Sequence, residues 1–170
     1  KVMGSIVDTL MPPLSPLEMT VGFIAGGIGR GLVIGAVLCV SMGLSLGIWV
    51  AHPLWTLAFV ILGGMFMGAL GLLGSIYAFK FDQMAAISNF VITPLAFLSG
   101  TFYSIQALPK LMQPLIHVNP MFYIIDGGRY SVLGVSDGSP WMALAVICGA
   151  NICAVGLAWF WLARGYRLKS

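Results

Sequence analysis

Acid–base, nucleophilic or metal chemistry in this chain would have to start from five acids (Asp8, Glu18, Asp82, Asp126, Asp137), two histidines (His52, His117) and three cysteines (Cys39, Cys148, Cys153). Their spacing permits little of it. The histidines lie far apart with no cysteine or acidic neighbour at ligand spacing, so no metal site is expected. An odd set of cysteines, all inside apolar runs, cannot form a disulfide framework and reads as small packing residues. No Ser/His/Asp or His/Glu cluster appears at workable spacing, which excludes an intramembrane hydrolase. No Gly-x-x-x-x-Gly-Lys-Ser/Thr loop occurs, so the chain does not cradle and hydrolyse ATP by that route. Proton- or sodium-coupled carriers keep acids near mid-bilayer, whereas all five here fall at the ends of the apolar runs or outside them. One polar pair remains: Asp126 and Arg129 are three apart, the spacing of a helical ion pair, and are read as structural.

The elements that carry these residues are plain. Four apolar runs, Gly31 to Ala51, Leu54 to Phe79, Met84 to Tyr103 and Trp141 to Ala163, each reach the roughly 20 residues a helix needs to cross a ~30 Å hydrocarbon layer. The chain is 59% hydrophobic and 8% charged, with mean hydropathy +1.01, far from the roughly 25% charged of a soluble domain. The runs lack period-2 alternation, so the expected fold is all-α, a polytopic transmembrane bundle. A net charge of +3 is a topology signal here and gives no footprint for nucleic acid. With four alternating spans, Lys1, Arg30, Lys80, Arg164, Arg167 and Lys169 share one side and Lys110 and Arg129 the other. That places the N-terminal segment and the C-terminal tail in the cytoplasm.

The expected organisation is a cytoplasmic helix and the start of an elbow over 1–22, three spans over 23–103, an external segment over 104–140, a last span over 141–163 and a tail over 164–170. Val2, Ile6 and Leu10, with Met3 and Val7, recur at i, i+3, i+4 spacing opposite Ser5, Asp8 and Thr9, which is an amphipathic helix ended by Pro12-Pro13. Next, Ser15-Pro16-Leu17-Glu18 supplies a cap serine, proline at the first helical position and glutamate at the third. Unbroken from Pro16 to Ala51, that helix would be about 54 Å long, so a bend near Gly26-Gly27 is expected. The lack of a leader and of an initiator Met suggests a piece of a longer protein.

Glycines recur four apart at Gly22 and Gly26, at Gly27, Gly31 and Gly35, at Gly43 and Gly47, and at Gly64 and Gly68. Such rows let helix backbones approach, and packing within one subunit is favoured over a dimer interface. Thr93-Pro94 should kink the third span. Ser88, Asn89, Thr93 and Asn151 suit interhelical hydrogen bonds, and Phe66, Met67, Tyr77, Phe90 and Phe102 are candidate lining for an apolar pathway. From Ile105 to Gly134, apolar residues are interrupted by Pro109, Pro114 and Pro120, too broken to span; short helices dipping into the outer leaflet are expected.

Two stretches carry a resemblance. Gly4-Ser-Ile-Val-Asp-Thr-Leu-Met-Pro-Pro-Leu-Ser-Pro-Leu-Glu18, followed by Phe97-Leu-Ser-Gly-Thr-Phe-Tyr103, Leu108-Pro, Asn119-Pro and Tyr123-Ile-Ile-Asp-Gly-Gly-Arg129, resembles the bacterial ABC-2 type exporter permeases. The resemblance implies six spans, of which this chain would hold the third to sixth, in a multi-pass protein of the bacterial inner membrane. It implies a coupling helix docking on a separate ABC ATP-binding subunit, through Ile6, Val7, Leu10 and Met11 as apolar contacts and Asp8 and Thr9 as polar ones. Ser15, Pro16 and Glu18 would cap the elbow, and Asn89, Pro94, Phe97, Phe102 and Tyr103 would belong to the pathway and its gate. It implies no cofactor in this chain, with ATP and Mg held by the ATPase. A second permease copy and membrane lipids would be the other partners.

Overall fold

In the computed structural model, residues 15–78, 81–99 and 113–165 are described. The described residues are helical with no strand: α1 Pro16–Leu46, α2 Pro53–Tyr77, α3 Phe81–Ile87, a π-helical stretch Ser88–Ile92, α4 Thr93–Leu98, α5 Gln113–Val118, α6 Pro120–Leu133 and α7 Pro140–Ala163. Among the described residues three helices, α1, α2 and α7, are long and apolar enough to cross a membrane. Proline opens each of the three, where its missing N–H costs nothing.

The expected bend in α1 does not break the helix, which runs from Pro16 to Leu46 as one element, about 46 Å long. The glycines serve contact instead. A Cβ on Gly27 would lie 2.8 Å from the Gly64 carbonyl oxygen, and one on Gly64 would lie 3.0 Å from both the Gly27 oxygen and Ile28 Cα. Gly31 faces Gly64 and Val60, and Gly68 faces Ile24 and Phe23. Position rises on α1 as it falls on α2, so the two helices are antiparallel and meet backbone to backbone. Gly27, Gly31, Gly35, Gly64 and Gly68 therefore pack one subunit against itself, whereas a Cβ on Gly22 or Gly26 would meet nothing within 4 Å. The expected run to Ala51 ends early because Gly47, at φ 69°, takes the left-handed conformation that closes a helix, with its N–H on the Gly43 carbonyl.

The third expected span, Met84 to Tyr103, is not a single α-helix in its described part. Pro94 has no N–H to donate, and just before it the ladder widens: Thr93 N–H donates to the Ser88 carbonyl, five residues back. The Thr93 hydroxyl donates to the same oxygen at 2.9 Å. Where the kink is expected, the described residues hold a π-turn abutting a proline.

The core lies among α2, α6 and α7, with Phe59, Phe66, Ala69, Met121, Phe122, Ala143 and Ile147 buried together. A second apolar cluster joins the far ends of α2 and α7 through Leu72, Ile76, Ala158 and Leu162. Asn151, buried in α7, donates to the Leu62 carbonyl of α2 at 3.1 Å, the kind of bond that holds helices together where lipid supplies no hydrophobic drive.

Candidate functional site

The site is the short helix α6 and what holds it. With 14 residues it is about 21 Å long, too short to cross a ~30 Å layer. Its neighbours on α2 fix its depth. Ile124 lies 3.1 Å from where a Cβ on Gly63 would stand, near the middle of α2; Gly127 packs on the Phe59 ring one turn higher; and Ser131 accepts the N–H of His52 at 2.9 Å, at the head of α2. Helix α6 therefore starts beside the middle of α2 and ends at its head, alongside half of the longer helix. Gly127 leaves no choice of side chain, since any Cβ would overlap the Phe59 ring.

Asn119 fixes the deep end. Its Oδ1 accepts from Met121 N–H at 3.0 Å and caps α6, while its Nδ2 donates to the Leu95 carbonyl at 2.8 Å and to Ser99 Oγ at 2.9 Å. One amide thus ties the start of α6 to the end of α4, just beyond the π-turn and Pro94. Tyr123 adds a bond from its hydroxyl to the His117 carbonyl at 2.9 Å. Fully bonded polar groups suit an irregular backbone buried at membrane depth.

The upper end is fixed by charge. Arg129 Nη2 lies 3.2 Å from Asp126 Oδ1 and 3.1 Å from Asp137 Oδ2. Asp126, its side chain 3% exposed, also accepts from Asp137 N–H at 2.9 Å and Gly138 N–H at 3.2 Å. The carboxylate so folds the connection to α7 back over α6. Next to it, Trp55 meets Trp141 edge to face at 5.0 Å and Tyr130 at 5.9 Å, and His52 stacks on Tyr130 at 5.0 Å. Aromatic rings gathered at one end of a bundle are the signature of a membrane interface.

Of the expected site residues, Ser15 and Glu18 form the reciprocal cap, with Ser15 N–H on Glu18 Oε2 at 2.7 Å and Glu18 N–H on Ser15 Oγ at 3.3 Å, and Pro16 is the first helical residue. Asn89 sits exposed in the π-turn, Pro94 is exposed beside it, and Phe97 is 52% exposed. Asp126 and Arg129 are brought together. Ile6, Val7, Asp8, Thr9, Leu10 and Met11, like Phe102 and Tyr103, lie outside the described residues. Asp137 and the grip of Asn119 were missed; an Asn-Pro step has the residue types of a helix cap and first position, but nothing local names the other partners of Asn119. Among the described residues, no three His, Cys, Asp or Glu side chains converge as metal ligands would.

Long apolar helices packed with a short one define a multi-pass α-helical membrane protein. The profile of the ABC-2 type transporter family matches residues 1–133, and the chain belongs to that family. It is 31% identical over 171 residues to the inner membrane transport permease YadH of Escherichia coli K12, covering all of this chain and 66% of that protein. It is 28% identical over 100 residues to nodulation protein J of Rhizobium leguminosarum bv. viciae, covering 59% of this chain and 38% of the relative. The chain thus spans just under two thirds of its YadH relatives. No solved structure matches it.

Proposed function

We propose that this chain is part of the membrane-spanning subunit of an ABC exporter, moving an amphiphilic, lipid-like or glycan substrate out of the cytoplasm. The observation that carries this reading is the half-length α6 of an ABC-2 family chain, tied by one amide to a helix that contains a π-turn and a proline. A helix that ends at mid-depth closes half the membrane, and a hinge fastened to it can open that half. The permease works by alternating access: a separate ATPase, holding ATP and Mg, closes on nucleotide and rocks the bundle between two states of different nucleotide affinity. Two permease copies assemble with two ATPase subunits in the bacterial inner membrane, with the N-terminal segment and C-terminus cytoplasmic and the aromatic end of the bundle outside. Its relatives in name, a transport permease and a nodulation protein, fit a permease frame used for different cargo.

Docking falls to residues 6–11, where an amphipathic helix would lie in a groove of the ATPase. The test is Leu10→Asp in the complete permease, co-purified with the ATPase encoded beside it. The expected outcome is normal membrane insertion with loss of ATPase capture and of ATP-dependent export. Unchanged export would sink the docking role, and insertion without any export in the parent protein would make the chain a membrane anchor.

A further inference from the structure

Arg30 of α1 has no ion-pair partner among the described residues. Arg30 lines an open cavity of about 840 Å³ between α1 and α2, shared with Gly22, Gly26, Gly64 and Met67. Its position between Gly27 and Gly31, which face Gly64 near the middle of α2, puts its Cα near the middle depth of the bundle, deeper than the cytoplasmic span end expected for it from the charge pattern. From there each interface is about 15 Å away, beyond an arginine's reach. The other charged group lining the cavity, Glu18, is about 18 Å along the helix axis and occupied with Ser15. An uncompensated cation at this depth costs several kcal/mol, and such residues mark ligand pathways.

We propose that this groove binds a lipid-like amphiphile through its phosphate headgroup, with Arg30 as the anion's partner and the apolar wall of Phe23, Ile34 and Met67 against its tail. The groove's chemistry and the symmetry of a membrane dimer choose this occupant. The lining is apolar apart from its two charges, which suits a tail and would strip a free anion of its hydration for a single contact. Guanidinium is the side chain that matches phosphate with paired N–H donors. A second copy is a poor occupant, because two subunits with one membrane orientation meet about an axis along the membrane normal, which would set Arg30 against Arg30. Gly22 and Gly26 leave the space open, since a Cβ on either would meet nothing within 4 Å. The inference needs α1 to lie in a bilayer and does not rest on ATP coupling, so a coupling-dead Leu10→Asp permease must still bind the amphiphile.

The experiment is native mass spectrometry of the complete permease, counting retained dioleoylphosphatidylglycerol against dioleoylphosphatidylcholine, with inorganic phosphate as a competitor. The wild type should favour the anionic lipid by about fivefold or more, the worth of one lipid–cation contact. Arg30→Gln should erase that preference, Arg30→Lys should keep most of it, and equal concentrations of phosphate should not compete. Gly26→Leu keeps the charge and fills the groove from a face with room for it, and should erase the preference as well. Preference unchanged in either Arg30→Gln or Gly26→Leu overturns the site. Displacement by inorganic phosphate overturns the amphiphile. If Arg30→Gln does not fold while wild type and Arg30→Lys hold both lipids equally, Arg30 pairs with an acidic side chain of the protein itself and the proposal fails.

Discussion

The α1–α2 seam and the α6 wedge solve the same problem with opposite means. The seam is built from missing side chains: Gly27, Gly31, Gly64 and Gly68 let two long helices touch along their backbones, with Val60 filling the upper part. The wedge is built from polar ones: Asn119 and Tyr123 below, Asp126, Arg129 and Asp137 above. A helix that crosses the whole layer satisfies its own backbone and needs only dispersion to associate, which close approach maximises. A helix that stops halfway leaves its end groups and its connections in apolar surroundings, and each must find a partner. The contrast teaches that sequence polarity here tracks where the backbone is irregular.

The strongest way to break the comparison is to overfill the wedge. Gly127→Ala drives a methyl into overlap with the edge of the Phe59 ring, and overpacking of this kind should cost about 3 kcal/mol, read as loss of folded protein in thermal unfolding of the detergent-purified permease. A stability unchanged by Gly127→Ala would mean that Phe59 swings away freely and that α6 is not wedged. Smaller, and aimed at the seam, Gly27→Ala meets the Gly64 carbonyl and should cost about 2 kcal/mol. Two residues on, Gly29→Ala meets nothing within 4 Å and should be neutral or slightly stabilising by helix propensity. Equal effects at the two positions would show that helix propensity, not close approach, governs α1. Smaller than the Gly27 effect is that of Asn119→Ala, expected at about 1 kcal/mol of stability. Its sharper readout is hydrogen exchange at the start of α6, which should accelerate while the α1–α2 seam stays protected.

How much of this the sequence disclosed depended on distance along the chain. The Ser15-Pro16-Glu18 cap is complete within four residues and was legible as a pattern, as was the Asp126 to Arg129 spacing. The apolar runs gave α1, α2 and α7 because length and hydropathy alone decide a span. Asp137 was opaque as a partner of Arg129, since its contact requires the turn after Gly134 to fold back over α6. Asn119 likewise reaches Leu95 and Ser99 across a gap that no periodicity encodes. For Gly26-Gly27 the excess length of the run suggested a bend, whereas the helix is continuous through the pair and Gly27 instead meets Gly64 and Gly68 on α2, a contact that no local pattern encodes.

The π-turn over Ser88–Ile92 acts as a phase slip. Inserting one residue's worth of backbone without adding a turn rotates everything beyond it by about 100° relative to the α-helix that precedes it. The stripe that α3 presents to α2 therefore cannot be continued by counting in 3.6s into α4; the two halves address different neighbours. The clock is reset one residue before Pro94, and Leu95 and Ser99, which follow it, are the groups that Asn119 holds. In a chain of otherwise regular helices, this is where one more or one fewer residue changes which way half of a helix faces.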